Sequence, residues 1–310
     1  MKKSKYLKYL VLLLVFSFLF VGCGKKKEEA KPEPIPNNTP LLLEVTKEDS
    51  ENKLYLFGSI HAADESMYPL PDYVMDAYKN SKAIAVEFDL IEYTKDLSSQ
   101  MALLSQFVLP NGEKVSDYID QERYNQGVEI LKNAGFYSPV FDVYNPMFWF
   151  SLMENAAVLD ADLDEKYGID NYFLEQAKED EKEIIELESA EYQYNLLSGF
   201  DYDAQVYLLT HSIDEYDEAK EALLELYKSY KEGNEKELEK LLLEESVDEY
   251  TKEYNDKLIT IRNQNMAKSL EESLIEGKDV FCTVGLAHII GEGGIADLLE
   301  QQGYTIQAIK

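Results

Sequence analysis

Short apolar runs separated by polar turns occur towards the two ends of the chain, a pattern that predicts β-strands. The run at 83–89 is rich in apolar residues, as in a strand buried within a parallel sheet. Predicted strands cover residues 41–45, 54–57, 83–89, 183–189, 280–284 and 304–309. The strand at 183–189 is predicted to be a third buried strand.

The middle of the chain instead repeats its apolar residues at helical spacing. Predicted helices cover residues 72–81, 117–134, 146–159, 167–177, 190–199 and 295–302, and residues 203–277 are helical and very acidic. Trp149 lies in one of these helices beside Phe148 and Phe150. This aromatic stripe predicts packing in a core rather than a cofactor site.

Two segments repeat the same order of strand, Gly-x-x-His, loop, helix and strand. The first contains Gly58-Ser59-Ile60-His61 and the second contains Gly285-Leu286-Ala287-His288. Such an internal repeat predicts two similar β-α-β units in one sheet. The predicted fold is therefore α/β, with a central mixed or parallel sheet built from two β-α-β units and a large helical insertion between them.

The N-terminus predicts a secretory signal that ends in a lipid anchor. Four lysines precede an apolar run at 11–21, which ends at Gly22-Cys23 and resembles a lipobox. The predicted organisation is a signal peptide at 1–22, lipidated Cys23 with a flexible proline-rich linker at 23–40, and one domain at 41–310. An uncleaved membrane anchor is the alternative, although the run is shorter than the roughly 20 apolar residues that span a bilayer.

Charge and cysteine content exclude several classes of protein. The net charge is −30, from 60 acidic and 30 basic residues, which argues against a nucleic-acid partner because phosphates repel such a chain. There are two cysteines, so a lipidated Cys23 leaves Cys282 without an intrachain disulfide partner. Cys282 lies in an apolar run and is interpreted as a small buried residue rather than a catalytic thiol.

The repeated histidines are the strongest chemical signal in the sequence. His61 and His288 are two of only three histidines, and each follows a predicted strand. Ligands of open α/β sheets bind beyond the carboxyl ends of the strands, where Glu87 and Glu188 are also expected. Two imidazoles and a carboxylate form a common catalytic metal shell, suited to zinc, manganese, iron or cobalt rather than calcium.

Each of these residues also has a structural interpretation. A histidine after a strand is usually a hydrogen-bonded structural residue, and Glu87 alternates with Asp89 as on a solvated strand edge. His211 has no matching glycine and is interpreted as structural. The sequence contains no Gly-x-Ser-x-Gly, His-Glu-x-x-His or phosphate-loop motif, which leaves common serine hydrolases, zincins and P-loop enzymes unsupported.

Together, several motifs resemble the TraB/GumN family, which includes the Tiki metalloproteases and plasmid pheromone-shutdown proteins. The resemblance covers residues from about Leu41 to the end of the chain. The matching segments are residues 54–61, Tyr68-Pro69-Leu70-Pro71, Val86-Glu87-Phe88-Asp89, Gly168-Ile169-Asp170, Leu187-Glu188 with Glu191 and Gln193, Arg262-Asn263 with Met266-Ala267, and Gly285-Leu286-Ala287-His288 with Gly291.

The resemblance implies that His61, Glu87 and His288 are metal ligands or acid–base groups. It also adds Arg262 and Asn263 to the site, where Arg262 would bind a substrate carboxylate or stabilise an oxyanion. An internal salt bridge is the alternative role for Arg262. Asp170 and Glu188 would support the ligands or replace one of them. In the predicted mechanism the metal activates a water molecule, and Glu87 or Glu188 accepts its proton.

The predicted function is a surface lipoprotein that hydrolyses a peptide or ester bond with a divalent metal, manganese, cobalt or zinc. Its partner would be a peptide or another small extracellular molecule, at the extracytoplasmic face of the membrane. Two alternatives remain at this stage. One is a lipoprotein that binds a peptide signal or haem without turnover, and the other is a metal-free hydrolase in which a histidine is the general base.

Overall fold

The computed structural model describes residues 38–48, 50–243, 248–275 and 277–310. The predicted signal peptide, Cys23 and most of the predicted linker lie outside the described residues. Asn38 and Thr39, from the end of that linker, already contact the domain. The Asn38 amide donates to the carbonyl of Met67, and the Thr39 N–H donates to the carbonyl of Lys231.

Six strands form one mixed sheet in the order β4-β3-β5-β2-β1-β6. The strands are β1 (Leu42–Thr46), β2 (Leu54–Ser59), β3 (Ala83–Val86), β4 (Glu183–Glu186), β5 (Val280–Gly285) and β6 (Thr305–Ile309). Strands β2, β5, β3 and β4 run parallel, whereas β1 pairs antiparallel with both β2 and β6. The α/β fold with two β-α-β units in one sheet is confirmed.

Helices make up most of the rest of the described chain. They are α1 (Asp72–Asn80), α2 (Leu90–Lys95), α3 (Leu97–Ser105), α4 (Gln121–Asn133), α5 (Pro146–Asp160), α6 (Ile169–Glu179), α7 (Ala190–Ser198), α8 (Tyr202–Asp214), α9 (Tyr216–Glu232), α10 (Glu235–Leu242), α11 (Glu249–Asn255), α12 (Ile261–Ile275), α13 (Leu286–Ile289) and α14 (Ile295–Gln301). Short 3-10 turns and a π-helical turn at Asp256–Thr260 connect some of them. No helix among the described residues is both long and apolar enough to cross a membrane.

The predicted single helical insertion is divided in two, because β4 lies within it. Helices α2 to α6 lie between β3 and β4, and helices α7 to α12 lie between β4 and β5. Gly233 ends α9 with a φ of 60°, and Asn234 caps the start of α10, so these two residues separate the helices. This left-handed conformation carries little penalty in glycine.

Two hydrophobic clusters stabilise the fold. In the first, helices pack on the sheet, and the rings of Phe57, Phe173 and Phe281 lie within 5.8 Å of one another. The second lies among the helices and contains Trp149, which is fully buried. The predicted core role of Trp149 is confirmed, and Cys282 is a buried free thiol as predicted.

One strand prediction needs correction. Strand β4 spans only Glu183–Glu186, and the side chains of its two terminal glutamates are exposed rather than buried. The physical reason is its place at the edge of the sheet, where it pairs with β3 alone. Leu187, just after the strand, is buried.

Candidate active site

The four parallel strands end at the same edge of the sheet, and each of them delivers one candidate side chain to it. His61 follows β2, Glu87 follows β3, and Glu188 lies two residues after β4. His288 lies in the short helix α13, directly after β5. Because Ser59 pairs with Gly285, the two Gly-x-x-His motifs lie side by side on neighbouring strands.

Glycine in the first motif permits a close approach between the two motifs. A Cβ at Gly58 would lie 2.3 Å from Cδ1 of Leu286 and 3.1 Å from its Cα, so only glycine fits without displacement. The chain after β5 therefore passes directly over the end of β2. This contact holds the two histidine loops together.

Glycine in the second motif marks the point at which the site side chains converge. A Cβ at Gly285 would lie 3.6 Å from Nε2 of His61, 3.5 Å from Oε1 of Glu87 and 3.4 Å from Cδ2 of His288. These are ordinary contact distances, so three functional side chains surround a space the size of a methyl group. We refer to this space as the convergence point.

Asp170 holds His61 from behind. Its Oδ2 lies 2.7 Å from Nδ1 of His61, which leaves Nε2 directed towards the convergence point. Burial lowers the pKa of His61, but the charge of Asp170 and its hydrogen bond outweigh this effect and raise the pKa from 6.5 to about 9. The metal-free site therefore carries an imidazolium–carboxylate pair at neutral pH.

Asn263 holds His288 in the corresponding way, but without a charge. Oδ1 of Asn263 lies 2.7 Å from Nδ1 of His288, and its amide nitrogen donates to the carbonyl of Gly293 at 2.9 Å. The ring therefore donates from Nδ1 and keeps an unprotonated Nε2. Burial, together with the nearby charge of Arg262, lowers the pKa of His288 to about 3. His288 is neutral, as a metal ligand must be.

Arg262 joins the two glutamates. Its Nη2 donates to Oε2 of Glu87 at 2.6 Å, and its Nε donates to Oε2 of Glu188 at 2.9 Å. Arg262 is fully buried, and its Nη1 donates to the carbonyl of Leu258. The internal salt bridge considered for Arg262 is therefore what the structure contains, and its guanidinium faces protein carboxylates rather than solvent.

The two glutamates differ in their electrostatics. Burial raises the pKa of Glu87, but the charges of Arg262 and His61 and the hydrogen bond from the Gly285 N–H hold it well below its usual range. Burial raises the pKa of Glu188, and the charge of Arg262 only partly opposes this effect. Glu87 is thus the permanently ionised carboxylate, and its Oε1 lies 4.0 Å from Nε2 of His288.

The structure brings together all the residues predicted for the site. Five of them form one set of contacts: Glu188, Arg262, Glu87, His288 and Asn263. The His61–Asp170 pair meets this set at the convergence point. The third histidine, His211, lies in α8, with its Nδ1 2.9 Å from the carbonyl of Tyr207 and its ring against the Tyr207 ring. Burial raises the pKa of the Cys282 thiol, which suits its predicted inert role.

Three further groups lie near these residues and were not predicted from the sequence. The side-chain amide of Gln193 donates to Glu87 and Glu188, and the Gly285 N–H donates to Oε1 of Glu87. Burial raises the pKa of Glu165 to about 7, and the charge of His61 opposes this shift. Glu165 stands in a polar stretch without a motif, so no sequence signal distinguishes it from a surface acid.

The donor set at the convergence point suits a divalent transition metal. Nε2 of each histidine is left for a ligand by a hydrogen bond at Nδ1, an arrangement common behind metal-bound imidazoles. Glu87 adds an ionised carboxylate oxygen. Among the described residues, however, no three His, Cys, Asp or Glu side chains already form a ready-made metal cluster.

The mixed sheet and its paired Gly-x-x-His loops define an α/β protein with a histidine–carboxylate site. The model of the TraB/PrgY/gumN family matches residues 41–308, and the chain belongs to this family.

Individual relatives are more distant. The uncharacterized protein YbaP of Escherichia coli is 29% identical over 144 residues, which cover 46% of this chain and about half, 51%, of that protein. The metalloprotease TIKI2 of Danio rerio is 21% identical over a match covering 96% of this chain and 67% of that protein. The metalloprotease TIKI1 of Homo sapiens is 22% identical over a match covering 92% of this chain and 64% of that protein. No solved structure matches the chain.

Proposed function

We propose that this protein is a lipid-anchored, metal-dependent hydrolase that cleaves peptide or ester bonds outside the cytoplasm. The observation that carries the proposal is the convergence of His61, Glu87 and His288 around Gly285. Both TIKI relatives are named metalloproteases, which supports a bound metal and cleavage of a peptide bond.

His61 and His288 would hold the ion through Nε2, and Glu87 would hold it through Oε1. A divalent ion bound there supplies a water of lowered pKa, about 7 for zinc, and polarises the bond to be cleaved. Asp170 and Asn263 fix the two imidazoles through their Nδ1 atoms, which leaves both Nε2 atoms for a ligand. Manganese, cobalt and zinc all suit this mixture of nitrogen and oxygen donors.

Arg262 positions Glu87 and Glu188 rather than contacting substrate, because it is fully buried between them. Glu188 is held by Arg262 and Gln193, which suits a supporting role behind Glu87.

The proposed location rests on the N-terminal sequence. Basic residues, an apolar run and Gly22-Cys23 support export and acylation of Cys23. A net charge of −30 disfavours adsorption to anionic lipid, so a covalent anchor would be needed to keep the chain at a membrane.

The test is the metal content of the purified full chain, measured by elemental mass spectrometry after incubation with manganese, cobalt or zinc. The double variant His61→Ala/His288→Ala is compared with His211→Ala, which removes the histidine outside the site. We expect close to one ion per chain in the parent and in His211→Ala, and none in the double variant. Equal metal content in all three proteins would contradict the proposal.

One observation favours a second candidate, a metal-free hydrolase. The 2.7 Å contact between His61 and Asp170 is the arrangement of a general base and the carboxylate that orients it. Because this pairing raises the pKa of His61 to about 9, such a base would work at alkaline pH. Peptide or ester hydrolysis that survives a chelator but is lost in His61→Ala would support this candidate. If the protein shows neither bound metal nor turnover, the binding lipoprotein is favoured instead.

A further inference from the structure

An apolar pocket opens beside His61. It encloses about 510 Å³, including its open mouth, and is lined at the end of β2 and by residues of α5, α9, α10 and α13. Aliphatic side chains form most of its wall, including Ile60, Val158, Leu223, Leu226, Leu242 and Leu286.

Two residues with hydroxyl groups, Ser59 and Tyr230, line this pocket, and they differ in their hydrogen bonding. Tyr230 donates its hydroxyl to the carbonyl of Gly58 at 2.6 Å. The hydroxyl of Ser59 is buried and has no hydrogen-bond partner in the described part of the chain. A buried hydroxyl without a partner is costly, by about 1–3 kcal/mol, so Ser59 is poised to bond a polar group of an occupant.

His61 borders both the pocket and the convergence point. A molecule that fills the pocket therefore places its next atoms at the site of the proposed chemistry. Leu286 also belongs to both regions, because it lines the pocket and packs over Gly58 at the junction of the two motifs.

Building on the proposed function, we propose that this pocket binds the apolar side chain of the peptide residue next to the cleaved bond. Ser59 would hydrogen bond the peptide group of that residue. Among the residues that the structure describes, no Asp, Glu, Lys or Arg lines the pocket. A charged side chain would therefore be buried there without a partner, which is strongly unfavourable.

The test uses the metal-loaded full chain and one series of peptides. The peptides are identical except at one position, where they carry leucine, alanine or aspartate, and cleavage at that position is followed by mass spectrometry. We expect kcat/KM for the leucine peptide to exceed that for alanine by roughly tenfold or more, as for other apolar specificity pockets. We expect the aspartate peptide to be cleaved at least 100-fold more slowly than the leucine peptide.

Adjacent leucines in α9 provide a matched pair of variants. Leu223 is buried and lines the pocket, whereas Leu224 is 44% exposed. Leu223→Phe should narrow the pocket and shift the preference from leucine towards alanine at least tenfold, and Leu224→Phe should leave it unchanged. Val158→Leu adds one methylene to the same wall and repeats the test if Leu223→Phe does not fold.

Peptide affinity, measured by calorimetry, separates the pocket from the hydrolase. Binding of the leucine peptide without cleavage, weakened by Leu223→Phe, would support the pocket although the hydrolase fails. Cleavage of all three peptides at equal rates would overturn the pocket but leave the hydrolase intact. Neither binding nor cleavage of the leucine peptide would also overturn the pocket. An unchanged metal content in Leu223→Phe would show that this variant retains the metal site.

Discussion

Arg262 and Glu87 form a buried ion pair, with Nη2 of the arginine 2.6 Å from Oε2 of the glutamate. The other carboxylate oxygen of Glu87 accepts from Gly285 and faces the convergence point. Arg262 therefore fixes the carboxylate from behind and keeps it ionised despite burial. The Arg262 guanidinium and the convergence point therefore lie on opposite sides of the Glu87 carboxylate.

Removing this cation should destabilise the fold. Arg262→Met leaves two carboxylates buried without their partner, and breaking buried pairs in this way typically costs about 3–5 kcal/mol. The free energy of unfolding by urea measures the loss. Arg123→Met is the control, because the Arg123 pairs with Asp120 and Asp214 are exposed and such pairs are worth about 0–1 kcal/mol. Equal losses in the two variants would show that Arg262 is not the electrostatic centre of the site.

Gly285→Ala should block the site without harming the fold. The added methyl meets His61, Glu87 and His288 at ordinary contact distances, and the φ of −46° at Gly285 is open to alanine. We expect bound metal and hydrolysis to be lost, while the free energy of unfolding stays within about 1 kcal/mol of the parent. Elemental analysis and urea unfolding check the two halves of this prediction.

Gly58→Ala, unlike Gly285→Ala, should destabilise the fold. Its methyl would collide with Leu286, so we expect a destabilisation of about 1–3 kcal/mol. Full metal content in Gly285→Ala would contradict the assignment of the convergence point.

The closeness of His61 and His288 could be predicted from the sequence because parallel strands place their carboxyl ends at one edge. Two copies of Gly-x-x-His therefore locate His61 and His288 as soon as the strands that precede them are recognised. The contacts of Arg262 depend instead on a helix 74 residues from Glu188 in the chain. The pocket likewise depends on the packing of α9 beside Ser59. This contact joins residues far apart in the chain, so no local sequence pattern predicts it. The edge position of β4 was missed for the same reason.

The His61–Asp170 pair should make the stability of the metal-free protein depend on pH. The folded-state pKa of His61 is raised from 6.5 to about 9. Its contribution is therefore fully present below about pH 6.5 and is lost as pH rises through about 9. A shift of this size corresponds to roughly 3 kcal/mol.

Asp170→Asn removes the charge that raises the His61 pKa and should abolish most of this dependence. The free energy of unfolding, measured in chelator between pH 6 and 10, should fall in the parent more steeply than in the variant. Parallel curves for the two proteins would contradict the pairing.

The lipid anchor gives a prediction that does not depend on the active site. Replacing Cys23 by serine removes the thiol that would be acylated, so the exported protein should move from the membrane fraction to the soluble fraction. Cys282→Ser is the control because that thiol is buried in the sheet. Fractionation of cells that express each variant, followed by mass spectrometry of the N-terminal peptide, checks both location and acylation. Membrane retention of Cys23→Ser would favour the uncleaved anchor.

Asn263 should control metal affinity through His288 without touching the ion. Its Oδ1 accepts from Nδ1 of His288, which leaves Nε2 unprotonated and correctly aimed. Asn263→Ala removes this acceptor, and loss of such a partner typically weakens metal binding by about 10–100-fold. Asn265→Ala is the matched control, since Asn265 is exposed in the same helix and contacts Tyr192 instead. Metal titrations of both variants should weaken only for Asn263→Ala. An unchanged affinity there would mean that His288 does not bind the ion through Nε2, and the site would then rest on His61 and Glu87 alone.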